Sequence, residues 1–152
     1  MQSFFLPRRY APSKATVIGY VSAGVALDPN PFGVRRQLSI PHPFRRFGMA
    51  ILHVTGDSMT LPDGSGIPDG AMVLFDRRDI MTSSGHVYAF QHADGSYSIK
   101  RLALHQGRPA MYSDNPSFPP AHLTSSVRNI GRVYAVSLDG QNWRPSGYRS
   151  WN

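Results

Sequence analysis

The chain contains no glutamate and only two lysines, and 14 glycines and 13 prolines interrupt its 152 residues. Lysine and glutamate sustain exposed helix surface, and glycine and proline break it. Such a chain is expected to fold mainly into strands. Cysteine is absent, which excludes disulfide frameworks, thiolate catalysis, Cys-ligated zinc and iron–sulfur clusters. A hydrophobic share of 41% suits one globular domain with a real core. No apolar run approaches the roughly 20 residues of a membrane helix. At the N-terminus the charges of Arg8 and Arg9 follow a short apolar patch, the reverse of a signal peptide. The expectation is a soluble, cytoplasmic β domain with no membrane association.

The formal net charge is +7 and comes almost entirely from arginine. Four adjacent pairs, Arg8-Arg9, Arg35-Arg36, Arg45-Arg46 and Arg77-Arg78, are scattered along the chain. They suit a nucleic-acid or acidic-partner surface, and equally an ordinary solvated surface. No 12-residue amphipathic helix accompanies them, so a helix-turn-helix domain is not expected.

Residues 1–15 mix Pro, Arg and Ser without periodicity and read as a flexible arm. Strands are expected at Ala15–Val21, around Gln37–Ile40, and at Met49–Thr55, Met72–Asp76, His86–His92, Tyr97–Leu102, Ala110–Ser113 and Asn129–Leu138. Ala93-Asp94-Gly95 signals a hairpin turn. Residues 28–48 read as a long connector, Gly56–Asp69 as a loop with a short turn after Asp57, and Trp143–Asn152 as a polar tail.

Lys100 is one strand lysine in a chain that otherwise uses arginine. A buried lysine can lose its proton near neutral pH, whereas arginine cannot, so Lys100 is a candidate general base. A solvent-facing cation on a hairpin is the plainer alternative. Strand alternation puts Ser98 and Lys100 on one face and Tyr97, Ile99 and Arg101 on the other. Gly56-Asp57-Ser58-Met59 follows an apolar strand. Glycine allows a tight turn and Asp caps one, which would place Ser58 near backbone N–H groups as an activated serine requires. An ordinary capped turn has the same sequence. The six histidines show no metal-binding spacing, and packing or surface roles are expected for them. No G-x-S-x-G elbow, phosphate-binding loop or dinucleotide fingerprint occurs.

Six ordered blocks resemble the LexA/UmuD family of self-cleaving Ser–Lys peptidases. Ile18-Gly19-Tyr20-Val21-Ser22-Ala23-Gly24 resembles the cleavage-site region, and Val54-Thr55-Gly56-Asp57-Ser58-Met59 the nucleophile block. Gly66-Ile67-Pro68-Asp69-Gly70 is similar to the segment that follows it, and Ser98-Ile99-Lys100-Arg101-Leu102 to the lysine block. Tyr112-Ser113-Asp114-Asn115-Pro116 and Ile130-Gly131-Arg132-Val133 match two later blocks. Coverage runs from about residue 16 to 138. The loop from Ser58 to Gly66 is about three residues longer than usual in the family, and Ala71 stands where an Asp is usual.

The resemblance implies a twisted, partly barrel-like antiparallel sheet with few short helices. It implies an arm over residues 1–23 and a Ser–Lys peptidase-like β domain over residues 24–152. It implies Ser58 as nucleophile, Lys100 as general base, the Ser58 and Met59 backbone N–H groups as oxyanion donors, and Ala23–Gly24 as the scissile bond. It calls for no cofactor and no metal. It implies a homodimer, stimulation by RecA filaments on single-stranded DNA, and a role in the DNA-damage (SOS) response. With 23 residues before the bond, the proportions resemble UmuD-like proteins, which assist an error-prone DNA polymerase in translesion synthesis. The alternatives are a LexA- or phage-repressor-like regulator lacking its DNA-binding domain, and a non-catalytic dimeric binding module. Signal peptidases share the dyad but need a membrane anchor.

Overall fold

The computed structural model describes residues 10–21 and 36–146. Strand β1 is Lys14–Val21, β2 Gln37–Ser39, β3 Met49–Val54, β4 Met72–Asp76 and β5 Val87–His92. Then come β6 (Tyr97–His105), β7 (Arg108–Tyr112), β8 (Ala121–His122), β9 (Val127–Ser137) and β10 (Trp143–Pro145). A single 3-10 turn spans His42–Phe44. Among the described residues there is no α-helix, as a chain without glutamate and rich in glycine and proline demands. No helix is long and apolar enough to cross a membrane among them.

All ten strands join one sheet, in the order β2-β1-β3-β4-β9-β5-β6-β7-β8, with β10 on β9. An additional pairing of β1 with β6, at Val21 and Tyr97, closes β1, β3, β4, β9, β5 and β6 into a ring. The expected barrel-like sheet is therefore present. Most pairings are antiparallel, but β1 runs parallel to both β3 and β6.

Closure needs curvature, and β9 supplies it. Its register slips against β4 between Leu74 and Phe75 and against β5 between Ala89 and Phe90. Each slip is a bulge that bends and twists the strand. Gly131 lies between them with φ +151°, and a Cβ there would stand 2.3 Å from the Asp76 carbonyl oxygen.

Strands β3 and β4 are apolar on both faces and buried on both. Ala50, Leu52, Val54, Val73 and Phe75 point into the ring with Val21, Met59, Ile99 and Val136. Met49, Ile51, Met72 and Leu74 pack outside it against Ala15, Ile40 and Tyr134. This two-sided burial explains why Met49–Leu52 and Met72–Phe75 read as continuous apolar runs. On the far side Tyr88, Phe90, Leu102 and Met111 form a third cluster.

The structure corrects several expectations. Lys14, assigned to the flexible arm, opens β1 and pairs with Ser39, because the β-branched run after it has an edge to join. Strand β6 continues to His105 because β7 pairs with it along that stretch. Trp143–Pro145, assigned to the tail, forms β10 against Ser137–Ala135. Ala121–His122 forms β8 on β7.

Gly131→Ala is expected to destabilise the protein by on the order of 3 kcal/mol, through backbone clash and strain. At this chain length that is a fall of about 10 °C in the unfolding midpoint, checked by thermal denaturation.

Candidate active site

Strand β3 ends at Val54, and Thr55 begins the segment that carries Ser58. The Thr55 backbone N–H donates to the Val21 carbonyl at 2.9 Å, and the Thr55 hydroxyl donates to the same oxygen. Gly56 N–H donates to the Asp69 carboxylate at 2.8 Å. The turn expected after Asp57 closes by a 3.0 Å bond from Thr60 N–H to the Asp57 carbonyl. Ser58 lies on that turn and is 7% exposed, and Met59 beside it is 1% exposed and packs into the ring.

The loop after Ser58 folds on itself. Leu61 N–H donates to Ser65 O at 2.7 Å, Gly64 N–H to Leu61 O at 2.8 Å, and Ile67 N–H to Met59 O at 2.9 Å. The residues between thus form a small excursion pinched off at Thr60 and Gly66. A Cβ on Gly66 would lie 2.5 Å from the Met59 carbonyl oxygen, so the pinch needs glycine.

Lys100 lies in the middle of β6, opposite Tyr88 of β5. Ile99 and Arg101 on either side of it, and Leu102 beyond, are all buried. Burial lowers the Lys100 pKa from its ordinary value of 10.5, because the charged amine loses hydration. Lys100 Nζ donates to the Ser113 hydroxyl at 2.7 Å and stands 5.7 Å from the centre of the Phe118 ring. Among the described residues, its hydrogen-bond partner is Ser113 rather than Ser58. Ser98, on the same face of β6, bonds instead with His92 Nε2 at 2.7 Å.

Three consecutive residues after β7 tie the two elements together. Ser113 holds Lys100. Asp114 takes two 2.8 Å bonds from Arg101 Nε and Nη2, and Arg101 Nη1 also donates to Gly85 O. Asp114 N–H contacts Met59 Sδ at 3.4 Å. Asn115 N–H donates to Ser58 O at 3.0 Å, and its side-chain amide donates to Asp57 O at 3.2 Å. The reading of the sequence marked this block only as a resemblance and assigned it no role. The available signal was the run of three short polar residues directly after a strand.

Strand β1 reaches the same place from the other side. Val21 pairs with Val54 of β3 and with Tyr97 of β6. Thr55 stands three residues before Ser58, and Tyr97 three before Lys100. The proposed bond Ala23–Gly24 begins two residues beyond Val21 and lies outside the described residues.

The histidines take dispersed structural places. His53 Nε2 meets Gly70 O at 3.2 Å and its ring packs on Tyr20. His105 bonds Tyr112 at 2.9 Å and lies against the His122 ring. His86 has a lowered pKa, from burial first and from Arg132 second. Among the described residues no three potential ligands group around a metal position.

A family profile described as Peptidase S24-like matches residues 16–134. The chain is 31% identical to the Repressor protein C2 of Salmonella phage P22 over 87 residues, 57% of this chain and 40% of that protein. It is 34% identical to LexA repressor 2 of Pseudomonas putida over 106 residues, 68% of this chain and 49% of that one. It is 27% identical to the LexA repressor of Oenococcus oeni over 131 residues, 82% of this chain and 60% of that one. The chain thus spans about half the length of the curated relatives it matches.

A lowered lysine pKa makes stability depend on pH with a definite sign. Below the folded-state value both states hold the proton and the burial penalty is present in full. As pH rises from there towards 10.5, the folded state sheds its proton first and the penalty fades. The wild type should therefore gain stability relative to Lys100→Met across that window. Thermal unfolding of both proteins from pH 7 upwards checks this.

Proposed function

The chain belongs to the Peptidase S24-like family, that of LexA, UmuD and repressor C-terminal domains, and from that premise we propose that it is a serine peptidase that cuts its own Ala23–Gly24 bond. The observation that carries the reading is the docking of β1. Val21 is held by Thr55 and paired to Tyr97, so the chain two residues before Ala23 lies where the Ser58 and Lys100 elements converge. Attachment in the same chain gives the bond a high effective concentration at the site.

In this mechanism Lys100, made less basic by its burial, takes the proton from the Ser58 hydroxyl. Ser58 Oγ attacks the Ala23 carbonyl carbon. The N–H groups of Ser58 and Met59 receive the developing oxyanion. The protonated Lys100 then gives its proton to the leaving amine of Gly24, and water releases the acyl group from Ser58. No metal or cofactor enters these steps. The small side chains of Ala23 and Gly24 let the backbone approach the serine closely.

RecA filaments on single-stranded DNA are the proposed stimulus, in a cytoplasmic DNA-damage (SOS) response, with the protein acting as a homodimer. For the cleaved protein, the first reading is a UmuD-like accessory to an error-prone DNA polymerase. A second reading is favoured by the matched relatives, all three of which are named repressors. In that reading, self-cleavage inactivates a transcriptional regulator.

Incubation of the purified protein at mildly alkaline pH, or with RecA filaments, should yield a fragment beginning at Gly24, identified by mass and N-terminal sequencing. Ser58→Ala and Lys100→Arg should each abolish cleavage, the first because the attacking hydroxyl is gone, the second because a guanidinium keeps its proton and cannot serve as the base. Lys14→Arg should cleave at the wild-type rate. An uncut chain under both conditions, or wild-type cleavage by Lys100→Arg, would sink the Ser–Lys reading.

Gly24→Glu should block cleavage and leave thermal unfolding unchanged, because a bulky, charged residue cannot enter a narrow cleft beside the serine. Normal cutting of that variant would put the bond elsewhere.

A further inference from the structure

The geometry points to Ser113 as a positioning residue that holds the Lys100 amine and sets the direction of its proton-accepting lone pair. The inference rests on the Ser–Lys reading above and extends it to a residue that neither the family match nor the matched relatives assign.

Besides Ser58, two serine hydroxyls come into question as partners of the lysine. Ser98 lies on its own face of β6, but that hydroxyl is committed to His92 at 2.7 Å. Ser113 comes from the neighbouring element, is 5% exposed, and accepts from Nζ at 2.7 Å. Its main chain is fixed on both sides: Tyr112 is paired with Arg101 in the β6–β7 ladder, and Asp114 is clamped by the Arg101 guanidinium. Ser113 is thus a rigid acceptor rather than a mobile one. A neutral amine has two N–H groups and one lone pair. Fixing one N–H on Ser113 Oγ limits the directions in which the lone pair can point, and Phe118 covers part of the remaining space. Without that bond the four-carbon stem is free to rotate among its rotamers.

The bond also leaves a signature on proton affinity. An ammonium donates more strongly than an amine, so Ser113 Oγ stabilises the charged form more than the neutral one. Removing the acceptor should lower the midpoint of the pH–rate profile and also lower its alkaline plateau. A residue that only packs would lower stability without moving the midpoint.

Several titratable or charged groups belong to the elements packed around Lys100. Tyr88 lies opposite it in β5; its phenol is pushed up by burial and bonds Met81 O. Arg101 and Asp114 are locked to each other. Tyr112 is on β7, Asp57 is in the serine loop, and His92 is bonded to Ser98.

The test measures self-cleavage rate against pH for wild type, Ser113→Ala, Ser113→Thr and Ser113→Val, with Ser58→Ala and Lys100→Arg as controls and thermal unfolding to confirm folding. Threonine and valine have the same shape, and only threonine keeps the acceptor, so this pair decides even if alanine impairs folding. Expected is a plateau about 10- to 100-fold lower for Ala and Val, as a misplaced catalytic group gives, with the midpoint moved to lower pH. Thr should restore both. The same shift is expected in a His92→Gln background, which removes the ring bonded to Ser98. An unchanged profile for Ala and Val while Lys100→Arg is dead overturns the role of Ser113 and leaves the Ser–Lys reading standing. A lower plateau with an unmoved midpoint assigns Ser113 to packing and overturns it too. Wild-type cleavage by Lys100→Arg removes the underlying reading as well.

Discussion

The buried ion pair between Arg101 and Asp114 is the constraint on which the site depends. The two side chains are 7% and 4% exposed and meet at 2.8 Å. Charges so far from water must stay together, because separating them strands one in the interior at a cost of about 3–5 kcal/mol. Arg101 adjoins Lys100 in β6, and Asp114 stands between Ser113 and Asn115. Fixing the pair therefore fixes Ser113 against the lysine and Asn115 against the Ser58 and Asp57 carbonyls. Two segments distant in sequence acquire a definite relative position through one forked contact. A guanidinium suits this role better than an ammonium, since it holds both carboxylate oxygens and still donates to Gly85.

The loop after Ser58 is held by its own backbone, through the Leu61–Ser65 bond and the Thr60–Gly66 bridge. Ala71 likewise fits where it stands: it is fully buried in the ring, and its carbonyl accepts from Val54 N–H.

Much of this was legible from the residues. Strands β3 and β4 stand out because both faces are buried, and the β5–β6 turn because Asp94 and Gly95 have the chemistry of a hairpin. Lys100 stood out as the rare ammonium among guanidiniums. Strands of two or three residues, β8 and β10, carry too little pattern to be read. They exist because β7 and β9 offer free edges. Ser113 escaped because a loop serine has many uses, and only the lysine's approach distinguishes it. The scattering of the arginine pairs was also partly an artefact of sequence. The β3–β4 register sets Met49 opposite Asp76, which brings Arg77 onto the Gly48 carbonyl by two bonds. Arg45-Arg46 and Arg77-Arg78 therefore lie at one end of the sheet.

Strand β1 is one wall of the closed ring, and the proposed cut falls just after it. Before cleavage, its place between β3 and β6 is a matter of folding, secured by the covalent link to the rest of the chain. Once the bond is cut, the same strand becomes a bound peptide, and its occupancy becomes a binding equilibrium governed by concentration. Its departure would withdraw Ala15 and Val21 from the packed interior and leave the main-chain groups of β3 as an unpaired edge. In this architecture the proposed hydrolysis would convert a structural element into a dissociable ligand, whose departure would turn a closed barrel into an open one.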